Sequence, residues 1–297
     1  MDQQATILVT GVNGQVGYEL LRTLQGLGRV VGLDRAALDL SDLDRVRAVV
    51  REHKPSIIVN PAAYTAVDKA ETDEATARRL NAEAPAVLAE EAARCGAALI
   101  HYSTDYVFDG TKDGAYVEDD ATNPQNVYGL TKLEGEQAIA ASGCAHLVLR
   151  TSWVYGRRGK NFLLTMLKLG AERPELRVVA DQIGAPTWSN SIATVTAHIV
   201  AQGLAAQRGG DANWWRERSG VYHFSATGET SWHGFAAAIF DAAMGEKAPK
   251  VLPIPASDYP VPAKRPANSR MATDKLARTF GVHLPEWRDA LRLCLGD

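Results

Sequence analysis

Three sets of residues in this chain have types and spacing that could do chemistry. The first is Thr10-Gly11-Val12-Asn13-Gly14-Gln15-Val16-Gly17, which follows a β-branched run and opens a helical pattern. Glycines at such a turn remove Cβ atoms, so backbone N–H groups and the helix N-terminus can approach a pyrophosphate. Taken alone, they need only permit a tight strand-to-helix turn. Asp34 lies 23 residues after Gly11 and ends the second strand-like run. An acid there meets the 2′-hydroxyl of an adenosine ribose, whereas the neighbouring Arg35 could accept a 2′-phosphate. These residues leave NADH against NADPH open.

The second set is Tyr128-Gly129-Leu130-Thr131-Lys132. Four residues apart on a helix, the tyrosine and the lysine share one face. A fixed ammonium one turn away favours the phenolate and brings a phenol towards use in acid–base catalysis. A tyrosine and lysine at this spacing also occur by chance, on any exposed helix. The third set is Ser103-Thr104-Asp105-Tyr106, at the exit of a strand-like run. Ligands of open α/β sheets bind outside the carboxyl ends of strands. A hydroxyl there, from Ser103 or Thr104, can hydrogen-bond and polarise a carbonyl. Asp105 and Tyr106 suit local capping equally well.

The elements that must position these residues follow an alternating pattern. Strand-like runs fall at Thr6–Thr10, Arg29–Asp34, Ser56–Asn60, Ala98–Thr104, His146–Ser152 and Arg177–Ala180. Helical patterns fall between them at Gln15–Leu27, Asp42–His53, Asp73–Arg94 and Asn126–Ala141. Consecutive apolar residues in the strands fit a sheet covered on both faces. The expectation is an α/β fold: a Rossmann-type doubly wound parallel sheet with a smaller C-terminal substrate-binding domain. After Val154 the rhythm changes. Asn161–Ala171, Ser189–Gln207, Trp232–Ala243, Thr273–Phe280 and Pro285–Leu295 read as helices, Ser219–Ala226 as a strand, and Pro249 to Pro266 as extended or turned. The division expected is 1–155 as the dinucleotide domain, completed by segments within 188–226. Residues 156–187 and 227–297 form the smaller domain.

Composition narrows the function classes. The net charge of −3 and the lack of a basic tract argue against nucleic acid. Cys95, Cys144 and Cys294 have no metal or disulfide spacing and read as reduced thiols. His101, His198 and His223 have no ligand partners at metal spacing, and Trp214-Trp215 reads as packing or a variable loop. No apolar run reaches membrane-spanning length, and no leader pattern precedes Thr6. The expectation is a cytoplasmic protein without membrane partners.

Together, the TGxxGxxG turn and the hydroxyl–Tyr–Lys set resemble the extended short-chain dehydrogenase/reductase superfamily. Within it, the blocks Asn60–Glu71, Ser103–Gly110, Arg150–Gly156, Asp181–Thr187 and Arg265–Arg270 resemble the dTDP-4-dehydrorhamnose reductase family, in the family's order. The resemblance implies reduction of the 4-keto group of dTDP-4-dehydro-L-rhamnose by hydride from NADPH or NADH, giving dTDP-L-rhamnose. It implies Tyr128 as proton donor, Lys132 as its partner and holder of the nicotinamide ribose, and Thr104 at the carbonyl oxygen.

The resemblance also places Gly11, Asn13, Gly14, Gln15, Val16, Gly17, Asp34, Arg35, Asp39, Leu40, Ala62, Ala63 and Tyr64 along the cofactor. Thr65, Val67, Asp105, Tyr106, Trp153, Arg265, Asn268 and Ser269 would face the nucleotide sugar, although Trp153 suits an ordinary core equally well. Some members of that family join subunits through acidic residues that bind Mg2+. Here Gln15, Asn190 and Arg292 stand where those acids would be sought. The expectation is therefore no metal site, and a monomer or weak homodimer. An epimerase of the same superfamily, or a non-catalytic subunit on the same scaffold, are the alternatives. The complete set of Thr104, Tyr128 and Lys132 argues against the last.

Overall fold

The computed structural model describes residues 4–296. Strands β1 (Thr6–Thr10), β2 (Arg29–Leu33), β3 (Ile57–Asn60), β4 (Ala98–Thr104) and β5 (Ala145–Thr151) come first. Four short strands then leave this series: β6 (Val154–Tyr155), β7 (Glu175–Val179), β8 (Ile183–Gly184) and β9 (Thr187–Trp188). The chain returns to the main sheet with β10 (Gly220–His223), and β11 (Thr230–Ser231) and β12 (Lys250–Ile254) follow. The six-stranded sheet has the order β10-β5-β4-β3-β1-β2, with every pair parallel. Order reverses between β1 and β3, which opens a crevice at their carboxyl ends.

The helices follow from the burial pattern. α1 (Gln15–Thr23) packs on one face, and α2 (Leu43–His53) on the other. The short α3 (Val67–Ala70) follows β3. α4 (Glu74–Arg78), a π-turn at Arg79–Glu83 and α5 (Ala84–Cys95) then run on continuously, beside α6 (Val127–Ala141). α7 (Phe162–Glu172) belongs to the second lobe. α8 (Ser189–Arg208) returns to pack along α1, with α9 (Trp214–Glu217) against it. Gly203 of α8 seats Trp215, and both Trp214 and Trp215 are buried in the main core. α10 (Trp232–Met244) and α12 (Trp287–Leu295) build a second core with α7, β7 and β12, in which Trp287 and Phe235 are fully buried. Among the described residues, no helix is long and apolar enough to cross a membrane.

The strand-like run at Arg177–Ala180 falls on β7, which ends at Val179 and pairs with β12 in a two-stranded ribbon separate from the main sheet. Its alternating burial suits a ribbon with one solvated face. The stretch 227–297 is not wholly a second lobe. Leu276 and Phe280 of α11 (Asp274–Phe280), with Leu284, pack into the core of the main sheet.

Candidate active site

β1 ends at Thr10, and the chain turns through Gly11 at φ +58°, in the left-handed region. A Cβ on Gly17 would lie 2.3 Å from the Gly11 carbonyl oxygen, so α1 can start this near the turn only with glycine there. Gly14 is the N-cap of α1 and supplies no side-chain hydrogen bond, and no acid stands in the first turn. The leading N–H groups, with Gln15 and Val16 beside them, therefore remain open to an anion. A half-open pocket adjoins the turn, lined by Gly11, Arg35, Leu38, Asp39, Leu40, Ala62, Ala63 and Leu80. An apolar slot next to a helix N-terminus and a guanidinium fits an adenine nucleotide.

Asp34 is committed locally. Its Oδ1 accepts from the backbone N–H groups of Ala36 (3.0 Å) and Ala37 (2.9 Å), and its Oδ2 from Asn13 Nδ2 (3.2 Å). Arg35 is more open: its side chain is 85% exposed, and its Nε donates to Asp39 Oδ2 at 3.3 Å. Hydrogen bonds from the Ser41 N–H and hydroxyl hold Asp39 below the usual carboxylate range. Tyr64 is fixed by Asn81, whose Oδ1 accepts from the Tyr64 N–H (2.8 Å) and whose Nδ2 donates to the Tyr64 carbonyl (3.1 Å). Asn81, Leu38 and Leu80 carry no sequence signal beyond their neighbourhood.

On the other side of the crevice, Thr104 closes β4. Its hydroxyl donates to Asp105 Oδ1 (3.1 Å) and accepts from the Tyr106 N–H (3.2 Å). The adjacent Ser103 is buried with its hydroxyl unpartnered among the described residues. Asn126 caps α6 by accepting from the Gly129 N–H at 2.8 Å, which sets Tyr128 in the first turn. A Cβ on Gly129 would stand 2.2 Å from the Tyr106 carbonyl oxygen, so glycine lets α6 approach β4's exit. The rings of Tyr106 and Tyr128 meet edge to face at 5.5 Å.

Burial pushes the Tyr128 phenol well above its ordinary value, and the hydrogen bond with Thr104 offsets only part of this. The Lys132 amine is turned to Tyr102 O (2.6 Å) and His101 Nε2 (3.0 Å). Burial brings Lys132 down to about 8. Burial also raises Asp105 to about 6, against hydrogen bonds with Ser269 and Thr104.

The C-terminal segment reaches this place through α3. Asp68 Oδ2 pairs with Arg265 Nη2 at 2.7 Å, and its Oδ1 accepts from the Ala263 N–H at 3.2 Å. Arg265 also donates to the Tyr106 hydroxyl (3.3 Å), and Asn126 Nδ2 donates to Lys264 O (2.8 Å). Thr65 is exposed at the mouth and Val67 opens α3. Asp68 and Asn126 were missed by sequence reasoning, since their roles depend on a segment some 140 to 200 residues away.

Asn268 is placed differently from the expectation of a sugar contact. Its Nδ2 donates to Lys112 O and Gly114 O, and its Oδ1 accepts from Arg270, so its hydrogen-bonding capacity is spent inside the protein. Ser269 is buried against Asp105. Trp153 has φ +48°, unusual for a bulky residue, and its indole stacks on Trp232 at 3.7 Å.

The remaining residues singled out in the sequence serve packing or local contacts. His101 and His223 are fully buried, and His198 is exposed on α8. Gln15 Oε1 accepts from Asn161, Asn190 donates to Glu19, and Arg292 pairs with Asp289. Among the described residues, no group of three or more His, Cys, Asp or Glu is arranged to hold a metal ion.

A family model described as the RmlD substrate binding domain matches residues 5–297. A dTDP-4-dehydrorhamnose reductase of Burkholderia thailandensis is 51% identical over 297 residues, covering 98% of each chain. One from Salmonella typhimurium is 45% identical, over 98% of this chain and 97% of that one. Among solved structures, a dTDP-4-dehydrorhamnose reductase of Bacillus anthracis in complex with NADP superposes with a TM-score of 0.88, at 34% identity and 98% coverage of both chains.

Proposed function

The chain belongs to the RmlD substrate binding domain family, that of the dTDP-4-dehydrorhamnose reductases, and from that premise we propose that it reduces the 4-keto group of dTDP-4-dehydro-L-rhamnose to give dTDP-L-rhamnose. The observation that supports this reading is the Tyr128 phenol hydrogen-bonded with Thr104, one turn from Lys132 on α6, in a sheet whose first strand ends in a glycine turn.

NADPH or NADH supplies the hydride. Gly11 to Gly17 would hold its pyrophosphate, the slot of Leu38, Asp39, Leu40, Ala62 and Ala63 its adenine side, and Arg35 a 2′-phosphate. Because Asp34 is spent on its own turn while Arg35 is exposed, the residues favour NADPH. Burial keeps the Tyr128 phenol protonated, as a proton donor to the C4 oxygen must be. Thr104 hydrogen-bonds that oxygen. Lys132 brings a cation close to the phenolate left behind, where it offsets the new charge. Arg265, held by Asp68, presents a guanidinium towards a diphosphate. Trp153, Tyr106, Val67 and Thr65 shape the sugar side. With Gln15, Asn190 and Arg292 standing where bridging acids would be sought, the reading is of a monomer or weak homodimer without a bridging ion.

The test is a coupled assay following NADPH and NADH absorbance, with the 4-keto sugar nucleotide generated from its precursors. Turnover with NADPH above NADH is expected. In Tyr128→Phe, kcat falls by about 10²- to 10⁴-fold with folding unchanged. Full activity in that variant would remove Tyr128 from the chemistry.

A further inference from the structure

Lys132 is 1% exposed, and the Glu136 carboxylate one turn along α6 offsets only part of the cost of burying it. Arg150 of β5 binds Glu136 through both oxygens, with Nε at 3.0 Å from Oε1 and Nη2 at 2.7 Å from Oε2. The lysine instead rests on neutral groups: the Tyr102 carbonyl and His101 Nε2. His101 Nδ1 lies 3.0 Å from Asn60 Nδ2, and Asn60 Oδ1 accepts from the Thr10 hydroxyl at 2.6 Å. Thr10, Asn60, His101 and Lys132 are all at most 1% exposed. The chain of contacts thus runs from the residue before the glycine turn, across β1, β3 and β4, to the lysine of α6. The charged groups near it are Lys132 itself and the Glu136–Arg150 pair of α6 and β5, while β1 and β3 bring only neutral side chains.

A neutral imidazole has one donor and one acceptor nitrogen. With the Asn60 amide nitrogen against Nδ1, the ring proton sits on Nε2 and Lys132 faces it as an amine. Flipping that amide sets its oxygen against Nδ1–H and leaves Nε2 as an acceptor for the ammonium. The flip exchanges the amide's nitrogen and oxygen, with the Thr10 hydroxyl then accepting from Nδ2, and leaves the other heavy atoms in place. We propose that His101 is a positioning residue for Lys132, with Asn60 and Thr10 selecting its tautomer and the tautomer matched to whether Lys132 stands as ammonium or amine. The ring itself stays uncharged, since burial and the neighbouring lysine hold its pKa well below the ordinary value. Both lysine states are reached near neutral pH.

The inference rests on the assignment of Lys132 to the reductive site, but its direct test does not. Nitrogen-15 NMR of the whole protein labelled at histidine reads each ring nitrogen across a titration from about pH 6 to about pH 10. The expected result is transfer of the His101 proton from Nδ1 to Nε2 as Lys132 loses its own, without an imidazolium stage. A single tautomer throughout, or an ordinary imidazolium titration, would overturn the proposal.

Two variants then connect the chain to turnover. His101→Leu fills the space without a polar atom and should lower kcat by about tenfold, the worth of one hydrogen bond. His101→Gln restores an acceptor near the Nε2 position and should recover most of that loss. Equal kcat in the two variants, at matched melting temperatures, would reduce the ring to packing. If the site assignment were wrong instead, Lys132→Met would keep its activity while the tautomer exchange persisted in the unmodified protein.

Discussion

Asp105 shows what burial does to a single residue at this site. Its carboxyl is 3% exposed and raised to about 6, from an ordinary 3.8. The folded state therefore holds a proton that the unfolded chain has already released. The stability linked to that proton is complete below about pH 4, and is lost as pH rises through about 6. The shift corresponds to about 3 kcal/mol at most. Asp105→Asn should remove this component, so denaturant unfolding at about pH 5 and about pH 8 should differ less in the variant than in the parent. Equal differences in both proteins would show that Asp105 ionises freely. At this scale the sequence disclosed the glycine turn, Thr104, Tyr128 and Lys132, because their types and spacing carry their chemistry. It did not disclose Asp68, Asn81 or Asn126, whose importance lies in partners that only the fold supplies. Nor did it show that Asn268 is used up by the carbonyls of Lys112 and Gly114.

Among the elements, α6 is fixed at its N-terminus by one residue with two duties. Asn126 caps the helix through Oδ1 and ties down Lys264 through Nδ2. Asn126→Ala should cost about 1 kcal/mol in thermal denaturation from the lost cap. Asn126→Asp keeps an acceptor for Gly129 but cannot donate to Lys264. It should hold its stability while KM for the sugar nucleotide rises, and a parallel loss of both quantities would separate the 263–265 segment from the substrate. The alternating strands and helices of the main sheet were readable from apolar periodicity alone. The partner of β7 was not, because pairing with β12 is a contact across 75 residues that no local pattern records. The return of α11 to the first core was hidden for the same reason.

The whole molecule divides its work unevenly. The glycine turn and the slot beside it lie within the main sheet's lobe, whereas the second core gathers α7, α10 and α12 around Trp287. Trp287→Ala should cost about 3–5 kcal/mol, as for other large core deletions. The loss should fall mainly on the second lobe. NADPH binding followed by fluorescence should then survive to temperatures at which the sugar nucleotide no longer binds. Simultaneous loss of both would mean that the two cores unfold as one unit.

The contact between Trp153 and Trp232 joins these lobes, since one indole follows β5 and the other begins α10. Two nearly parallel chromophores 3.7 Å apart share their excited states. The molecule is thus expected to carry an optical gauge of its own posture: any twist between the two indoles' transition dipoles gives a paired circular-dichroism band whose strength changes as the rings separate. Trp232→Phe should erase that band, and ligand titrations of the parent protein would show, without any added dye, whether the lobes shift as the sugar enters.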